Sequence, residues 1–529
     1  MNILMRCYDR LRAKEPLSTN DCEALVGLDL HTFQLASLAC MLLYKPRIEP
    51  CEATLFGWIV SRHPPIKALV TTIFAGHELL QTSGSAAQPL AGGDERLVPI
   101  LRHTKLRSPI GQANLKRLID SFVHKTVSLD FMAVWLVTVL SEGLSAQDLH
   151  HLISAMLASG DIFDLRDTPE LHGRRLIRRY PTGALSEKVA LIQPALISAL
   201  AQDHPIATPF FVARSLGFTG GTWDKLSVLP GFSFPPIGPD MLAVLQRCHA
   251  AYAVARDTCA PADRMMYELR HLTGTIESLD LLVSSIASKQ LAIPAHRVLL
   301  DIRYGPGAFV CSQTEAHTFQ DLLVNAITSG GVPCNAMLTP TPQPSGNAVG
   351  NSLEVAEALA IMRSDVDDPL WDRRAFVEQQ ELVVQFSVEL LRREFPGTSA
   401  DYWRAECERS FATGKVLSAF QTILIAHGVS PDDANHIVND PHHLFASSAR
   451  ADVSANANGV IASIDQRALG YVVNFRLNNQ GSGTGVVLRK RLGDRVQAGD
   501  TLATLFTPKS MAASEAAELS EVVLGCFSL

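Results

Sequence analysis

The sequence predicts an α/β protein with a central, largely parallel sheet, a helical region before it and a β-rich region after it. Three observations predict this. From Leu176 onward, short apolar segments bounded by Gly and Pro alternate with helical windows. Before that point, apolar residues recur at mostly helical steps. Beyond Val453, short hydrophobic stretches alternate with Gly-Asp turns. A chain of 529 residues is expected to hold more than one domain.

The elements follow in order. Leu25, Val26, Leu28, Leu30, Phe33, Leu35, Leu38 and Met41 mark a helical start, and Glu49 to Val60 opens after Pro46. A loop rich in Ser, Gly, Ala and Pro runs from Thr82 to Glu95. Helical spacing returns with Leu115, Leu118, Ile119 and Phe122, then in Phe131 to Leu140 and Ala146 to Leu157. Phe33 to Val60 and Phe131 to Leu157 share an outline of two helices around a short loop; duplication and convergence both account for it. Strands are expected at Ala207 to Val212, Val298 to Ile302 and Asn335 to Leu338, with a helix from His317 to Ile327. Leu370 to Ala426 reads as helical. In the tail, Gly459 to Ile464, Tyr471 to Phe475 and Gly485 to Leu488 read as short strands, with a Gly-Ser turn before the last, and the tail's role reads as packing.

Composition excludes several classes. Lys plus Arg number 46 against 53 Asp plus Glu, a net charge of −7, which excludes a globally basic nucleic-acid binder but allows a local cationic pocket. Apolar residues make up 47% and charged residues 19%, which is too hydrophobic for a disordered chain. The 34 Gly and 29 Pro are ordinary for a globular protein, not collagen-like or low-complexity. No apolar run approaches the roughly 18 residues of a membrane helix. The N-terminus, Met1 to Arg6, meets charge too early for a signal peptide. Ten cysteines without a Cys-x-x-Cys pair read as reduced thiols, so a cytoplasmic protein is expected.

Four segments carry more than fold. They are Arg179-Tyr180-Pro181-Thr182-Gly183-Ala184; Arg214 to Leu226, with Thr219-Gly220-Gly221-Thr222-Trp223-Asp224-Lys225; Ala260-Pro261-Ala262-Asp263 with Arg270 and Ser285 to Lys289; and Gly305-Pro306-Gly307-Ala308-Phe309 with Gly346 to Glu354. This ordered set resembles the thymidine and pyrimidine-nucleoside phosphorylases from about Leu106 to Leu505, and Thr219 to Leu226 is its most specific stretch. Asp465 to Gly470 with Gly493-Asp494 resembles that family's C-terminal domain, while the first hundred residues lie outside the likeness.

The resemblance implies a nucleoside-phosphorylase-like α/β fold in which a small helical domain and a large α/β domain with a central sheet close over a cleft. The implied division is an N-terminal helical extension (1–100), the small helical domain (101–170 and 260–293), the α/β phosphate and sugar domain (171–259 and 294–445) and a β-rich C-terminal domain (446–529). It further implies a homodimer and attack of phosphate on C1′ of a pyrimidine nucleoside, giving free base and (deoxy)ribose 1-phosphate. No cofactor is expected, phosphate being a co-substrate, and neither nucleic acid nor membrane is an expected partner.

On the same likeness, Arg270, Ser285 and Lys289 hold the base. Ser285 and Lys289 stand one helical turn apart, and the two cations can hydrogen-bond a pyrimidine carbonyl and oppose charge on the leaving base, each such contact contributing about 1.5–3 kcal/mol. Catalytic roles fall to Arg270, Lys289 and Tyr180. Phosphate falls to Arg179, Thr182 and Thr222, where Arg179 stands for a family lysine. The family's serines are replaced by Pro181, Ala190 and Val212, and its histidine by Tyr180, a poor proton donor near neutral pH. Three lost hydroxyls at about 1 kcal/mol each amount to a slowing on the order of a hundredfold if nothing compensates. No metal is expected; the Lys188 ammonium, paired with Glu357, is expected in place of the family's monovalent cation.

Other features read more blandly. His150-His151 and His442-His443 are adjacent pairs without metal-ligand spacing and read as surface histidines. Gly305-Pro306-Gly307 is an incomplete dinucleotide fingerprint. Of the basic run Arg174, Arg175, Arg178 and Arg179, the first three read as a solvated face and the last is expected to point inward. Three functions remain compatible with these residues. They are a phosphorylase with a rebuilt anion site, the same fold using water or another anion, and a pyrimidine-binding protein without turnover.

Overall fold

The computed structural model describes residues 3–82, 90, 92–215, 217–365, 367–478 and 483–529. Most of the Ser/Gly/Ala/Pro loop after Thr82, Leu216 of the second motif and most of the Gly-Ser turn near 480 lie outside those residues. The chain divides into two compact units, residues 1–162 with 257–293, and residues 163–256 with 294–529. The ten cysteines are thiols, not disulfides.

The first unit is helical throughout its described residues. The helices Thr32–Leu43 and Leu129–Glu142 pack on each other, the first buried along nearly its whole length and the second from Phe131 to Val139. Ser128 caps the second of these by accepting from the Phe131 N–H at 3.0 Å, and Gly143, at φ +76°, ends it in a conformation that suits glycine. Both segments of similar outline hold two successive helices, the second of each being Pro50–Arg62 and Ala146–Ala158; the first pair packs together, whereas Ala146–Ala158 packs mainly on the helices Gln112–Val123 and Leu279–Ala292. The first hundred residues share one hydrophobic cluster with the rest of the unit, from Tyr8 and Leu38 to Trp135, Met266 and Leu281. Polar ties reinforce it: the Tyr8 hydroxyl donates to Leu272 O at 3.1 Å and the Ser37 hydroxyl to Thr273 O at 2.6 Å.

The second unit is built on five parallel strands, β1 (Arg175–Pro181), β2 (Ile206–Phe211), β3 (Ala250–Ala253), β4 (Arg297–Tyr304) and β5 (Cys334–Pro340), in the order β3-β2-β1-β4-β5. The short apolar strand segments and intervening helices give this parallel arrangement, since a parallel pair needs a crossover and is covered on both faces. β1 and β4 are in register so that Arg179 pairs with Leu299 and Pro181 with Asp301. The Val189–Leu200 helix is buried at every position, as its apolar run requires.

The tail shares a sheet with the middle of the chain. β6 (Ala348–Val349), β7 (Ser448–Ser454), β10 (Gly485–Leu488) and β12 (Thr501–Pro508) form an antiparallel sheet ordered β6-β10-β12-β7. The segment expected as one strand from Gly459 to Ile464 is two, β8 (Gly459–Val460) and β9 (Ser463–Ile464), which pair with β11 (Arg495–Val496) and β13 (Phe527–Ser528) respectively. Tyr471 to Phe475, expected as a strand, is helical: Gln466–Tyr471 runs on into a wider turn at Val472–Leu477. Asp465 starts it by accepting from the Ala468 N–H at 2.9 Å, and Leu469, Val472, Val473 and Leu477 bury one side at helical spacing.

Candidate active site

Two clusters of charged residues stand out, one in each unit. In the second unit, β1 carries Arg178 and Arg179 on opposite faces, Arg178 over the Phe211 ring and Arg179 over Phe386 of the Arg373–Glu394 helix. Arg179 points inward and is 1% exposed, and Arg178, expected on a solvated face, is buried as well. Its Nη2 lies 2.5 Å from Glu187 Oε1 and 3.2 Å from Asp301 Oδ2. Arg303, two residues beyond Asp301 on β4, lies 2.7 Å from the same Asp301 oxygen and 3.7 Å from Glu187. Lys225 Nζ joins at 2.8 Å from Glu354 Oε2 and donates to Glu187 O at 2.5 Å.

Glu187 also receives the Ala190 N–H, at 3.2 and 3.3 Å from its two carboxylate oxygens. Its carboxylate therefore occupies the start of the Val189–Leu200 helix, where an anion is favoured. Burial pushes its pKa up, but the charges of Arg179, Arg303 and Lys225 and the Arg179 hydrogen bond outweigh burial and leave it below the usual carboxylate range. Two donors of Arg179, Nε and Nη1, are buried and have no acceptor among the described residues.

Lys188 sits in a cage of oxygens. Its Nζ lies 3.0 Å from Glu357 Oε2, 2.6 Å from the Ser186 hydroxyl, and 3.1 Å from both Ser186 O and Ala348 O, and it also donates to Ser345 O. Glu357 is held by the Asn347 and Ala348 N–H groups at 2.7 and 2.8 Å. Gly346, at φ +86°, closes the cage: a Cβ there would stand 2.6 Å from Glu357 Oε1 and 2.7 Å from Lys188 Nζ. Counted together, Arg179, Lys188, Lys225 and Arg303 oppose Glu187, Asp301, Glu354 and Glu357, four positive charges against four negative, all buried.

The first unit holds the other cluster. Ser285 and Lys289 share one face of the Leu279–Ala292 helix, with Lys289 Nζ donating to Ser285 Oγ at 3.1 Å. Lys289 Nζ is 2.9 Å from Asp263 Oδ2, on the first turn of the Pro261–Thr273 helix, and 5.4 Å from the Tyr267 ring centre. Its side chain remains 28% exposed. Arg270 is different: 2% exposed, its guanidinium donates to Leu281 O at 3.0 Å, Thr275 O at 3.4 Å and Ile276 O. Burial lowers its pKa to about 10, against the raising effect of Asp263 and Tyr267.

The structure thus brings Ser285 to Lys289, Lys188 to Glu357, and Arg179 to a carboxylate. Thr182 lies by the Arg179 cluster, its hydroxyl accepting from the Arg303 N–H at 2.9 Å and meeting Asp301 O at 3.4 Å. Tyr180 continues β1 beside Leu300 and is half-buried. Thr222 opens the short Thr222–Leu226 helix after Gly221, where a Cβ would lie 2.3 Å from Ala213 O. Ala190 and Val212 are buried apolar positions, as their side chains dictate. The partners that sequence reasoning missed are the acids Glu187, Asp301 and Asp263, with Arg303. Asp301 and Arg303, two apart inside an apolar strand, gave a signal, because a buried strand carries charges on one face only when they are paired.

Comparison with known proteins agrees with the fold and the motifs. Residues 195–389 match the glycosyl transferase family, a/b domain. This defines a glycosyltransferase-type enzyme on an α/β scaffold. A pyrimidine-nucleoside phosphorylase of Bacillus subtilis (strain 168) is 30% identical over 379 residues, 70% of this chain and 82% of the relative. Thymidine phosphorylases of Mycobacterium tuberculosis (strain CDC 1551 / Oshkosh) and Agrobacterium fabrum (strain C58 / ATCC 33970) are 29% and 26% identical, over 77% and 81% of this chain and 90% and 96% of theirs. The chain belongs to the pyrimidine-nucleoside phosphorylase family. Among the described residues, no helix is long and apolar enough to cross a membrane.

Proposed function

We propose that this protein is a pentosyltransferase that cleaves a pyrimidine nucleoside by phosphorolysis, giving free base and (deoxy)ribose 1-phosphate. The observation that carries the reading is Lys289, partly exposed and oriented by Asp263 and Ser285. A phosphate oxygen attacks C1′, the C1′–N bond breaks, and its electron pair leaves with the base. The Lys289 ammonium then opposes the charge gathering on the base, and the Ser285 hydroxyl helps fix the pyrimidine edge. Arg270 completes this base set and, through its carbonyl contacts, holds the Thr275 to Leu281 segment that leads into the Ser285 helix. Tyr180 offers a ring for stacking. Arg179, Thr182 and Thr222 receive the phosphate, Arg179 through the two donors that have no acceptor among the described residues.

Lys188 serves as a tethered monovalent cation: three carbonyls, a hydroxyl and a carboxylate are a donor set suited to such an ion. The protein acts as a cytoplasmic homodimer without a further cofactor.

One observation favours a second reading. The four cations around Arg179 and Lys188 are already matched by four carboxylates. Such a site attracts a phosphate dianion less than an unbalanced one does, and so favours water as nucleophile. Base release from thymidine and uridine by the pure protein, with and without phosphate, separates the readings. Release that saturates with phosphate supports phosphorolysis, and phosphate-independent release supports hydrolysis. Binding of pyrimidine without release overturns both.

A further inference from the structure

His436, Asp440 and His443 come together where the Pro431–Asn439 helix ends. His436 and Asp440 are one turn apart, so their side chains leave on the same side, and the Asp440 N–H closes the last turn on His436 O at 2.8 Å. Pro441 then stops the helix and begins the short turn Pro441–Phe445, which folds His443 back over His436. The two imidazoles face each other with ring centres 4.2 Å apart and planes 33° apart. One candidate ligand atom from each of the three residues lies within 4.8 Å of the others.

Three further features suit a metal. His443 Nδ1 is hydrogen-bonded to Asp440 O, and since a carbonyl only accepts, that nitrogen carries the proton and Nε2 keeps the lone pair. A ring N–H held by a main-chain carbonyl is the usual support for a ligating histidine. The Asp440 carboxylate makes no ion pair with a lysine or arginine among the described residues, so its charge is available to a cation. The neighbouring His442 is taken up elsewhere, its Nε2 lying 2.8 Å from Asp368 Oδ2.

We propose that His436, Asp440 and His443 form a zinc site with three protein ligands and a fourth position open to solvent. Zinc accepts this set of two imidazoles and one carboxylate in tetrahedral geometry, whereas magnesium and calcium prefer all-oxygen shells. At zinc bond lengths the ligand atoms stand roughly 3.3 Å apart, so modest side-chain rotations close the cluster. The site has no part in the nucleoside chemistry above. It clips the end of the Pro431–Asn439 helix to the turn that feeds β7. Sequence spacing hid it, since the ligands are His436 and Asp440 with only the second histidine of the His442-His443 pair.

The test uses the full-length protein, stripped with a chelator and titrated with zinc chloride by calorimetry. One equivalent is expected to bind with micromolar or tighter affinity and to raise the melting temperature, with binding weakening as pH falls below the histidine range. Asp440→Asn is expected to weaken it by about tenfold, and His436→Ala/His443→Ala to abolish it. These side chains lie at the surface, so both variants should fold, which the unchanged melting temperature of the metal-free proteins checks. No binding by the wild type, undiminished binding by the double variant, or equal binding of magnesium would each overturn the proposal.

Discussion

Lys188 and Lys289 are both lysines bonded to a serine hydroxyl and a carboxylate, yet they do opposite things with their charge. Lys188 is fully enclosed, and each of its contacts is a protein oxygen from Ser186, Ser345, Ala348 or Glu357. Lys289 has Asp263 and Ser285 on one side and solvent access on the other. The difference teaches how to separate a structural cation from a binding one. An enclosed ammonium has paid its desolvation cost at folding and is compensated by its cage, whereas a half-open one keeps bonding capacity for a ligand.

Removing either lysine measures this contrast. Lys188→Ala strands the buried Glu357 carboxylate and is expected to lower stability by about 3–5 kcal/mol, read by denaturant unfolding. Added potassium should restore much of that loss in the variant and leave the wild type unchanged. A stable variant indifferent to potassium would break the comparison.

His427 supplies a buried polar group held by main-chain partners. It accepts the Tyr252 N–H at Nε2, donates to Ser233 O and stacks on Phe232 at 4.5 Å. Burial lowers its pKa to about 4, against the raising effect of the Ser233 bond. The unfolded chain binds the proton first, near pH 6.5, so stability falls as pH drops from there towards 4, by on the order of 3 kcal/mol. His427→Gln should flatten the stability profile across that window.

Glu187 loses stability in the same direction, but in a more acid range. Its folded pKa is depressed, so its contribution is complete above the unfolded value near 4.3 and disappears as pH falls through the folded one. Glu187→Gln is expected to cost about 1–3 kcal/mol at neutral pH, with the gap to wild type closing in acid. A constant gap would mean that the pairing with Arg179 is not electrostatic.

The smallest change in stability belongs to Lys289→Ala, within about 1 kcal/mol for a partly exposed pair. Base release should nevertheless fall roughly 10–100-fold in kcat/KM. Large loss of stability with unchanged turnover would place Lys289 with Lys188 instead.

The parallel sheet was legible because β2, β4 and β5 carry short apolar segments alternating with helical windows, whereas β1, with three arginines in seven residues, was not singled out as a strand. Tyr471 to Phe475 was misread because a short apolar run carries no period; the N-cap at Asp465, six residues earlier, decided it. The pairing of Lys188 with Glu357 was legible through family likeness. Its carbonyl ligands were not, because main-chain oxygens leave no mark in a sequence. The acids opposite Arg179 were missed for a related reason: Asp301 reaches it only when β1 and β4 lie in register, and Glu187 only when the chain after β1 turns back on it.

The pairing of β6 with β10 has a consequence for the order of events during synthesis. Ala348, whose carbonyl holds Lys188, is zipped to Val487, and Asn347 exchanges bonds with Leu488. Lys188 leaves the ribosome hundreds of residues before those partners do. The nascent chain must therefore carry that ammonium hydrated through most of translation, and the cage becomes a late checkpoint closed only when the C-terminal strands arrive.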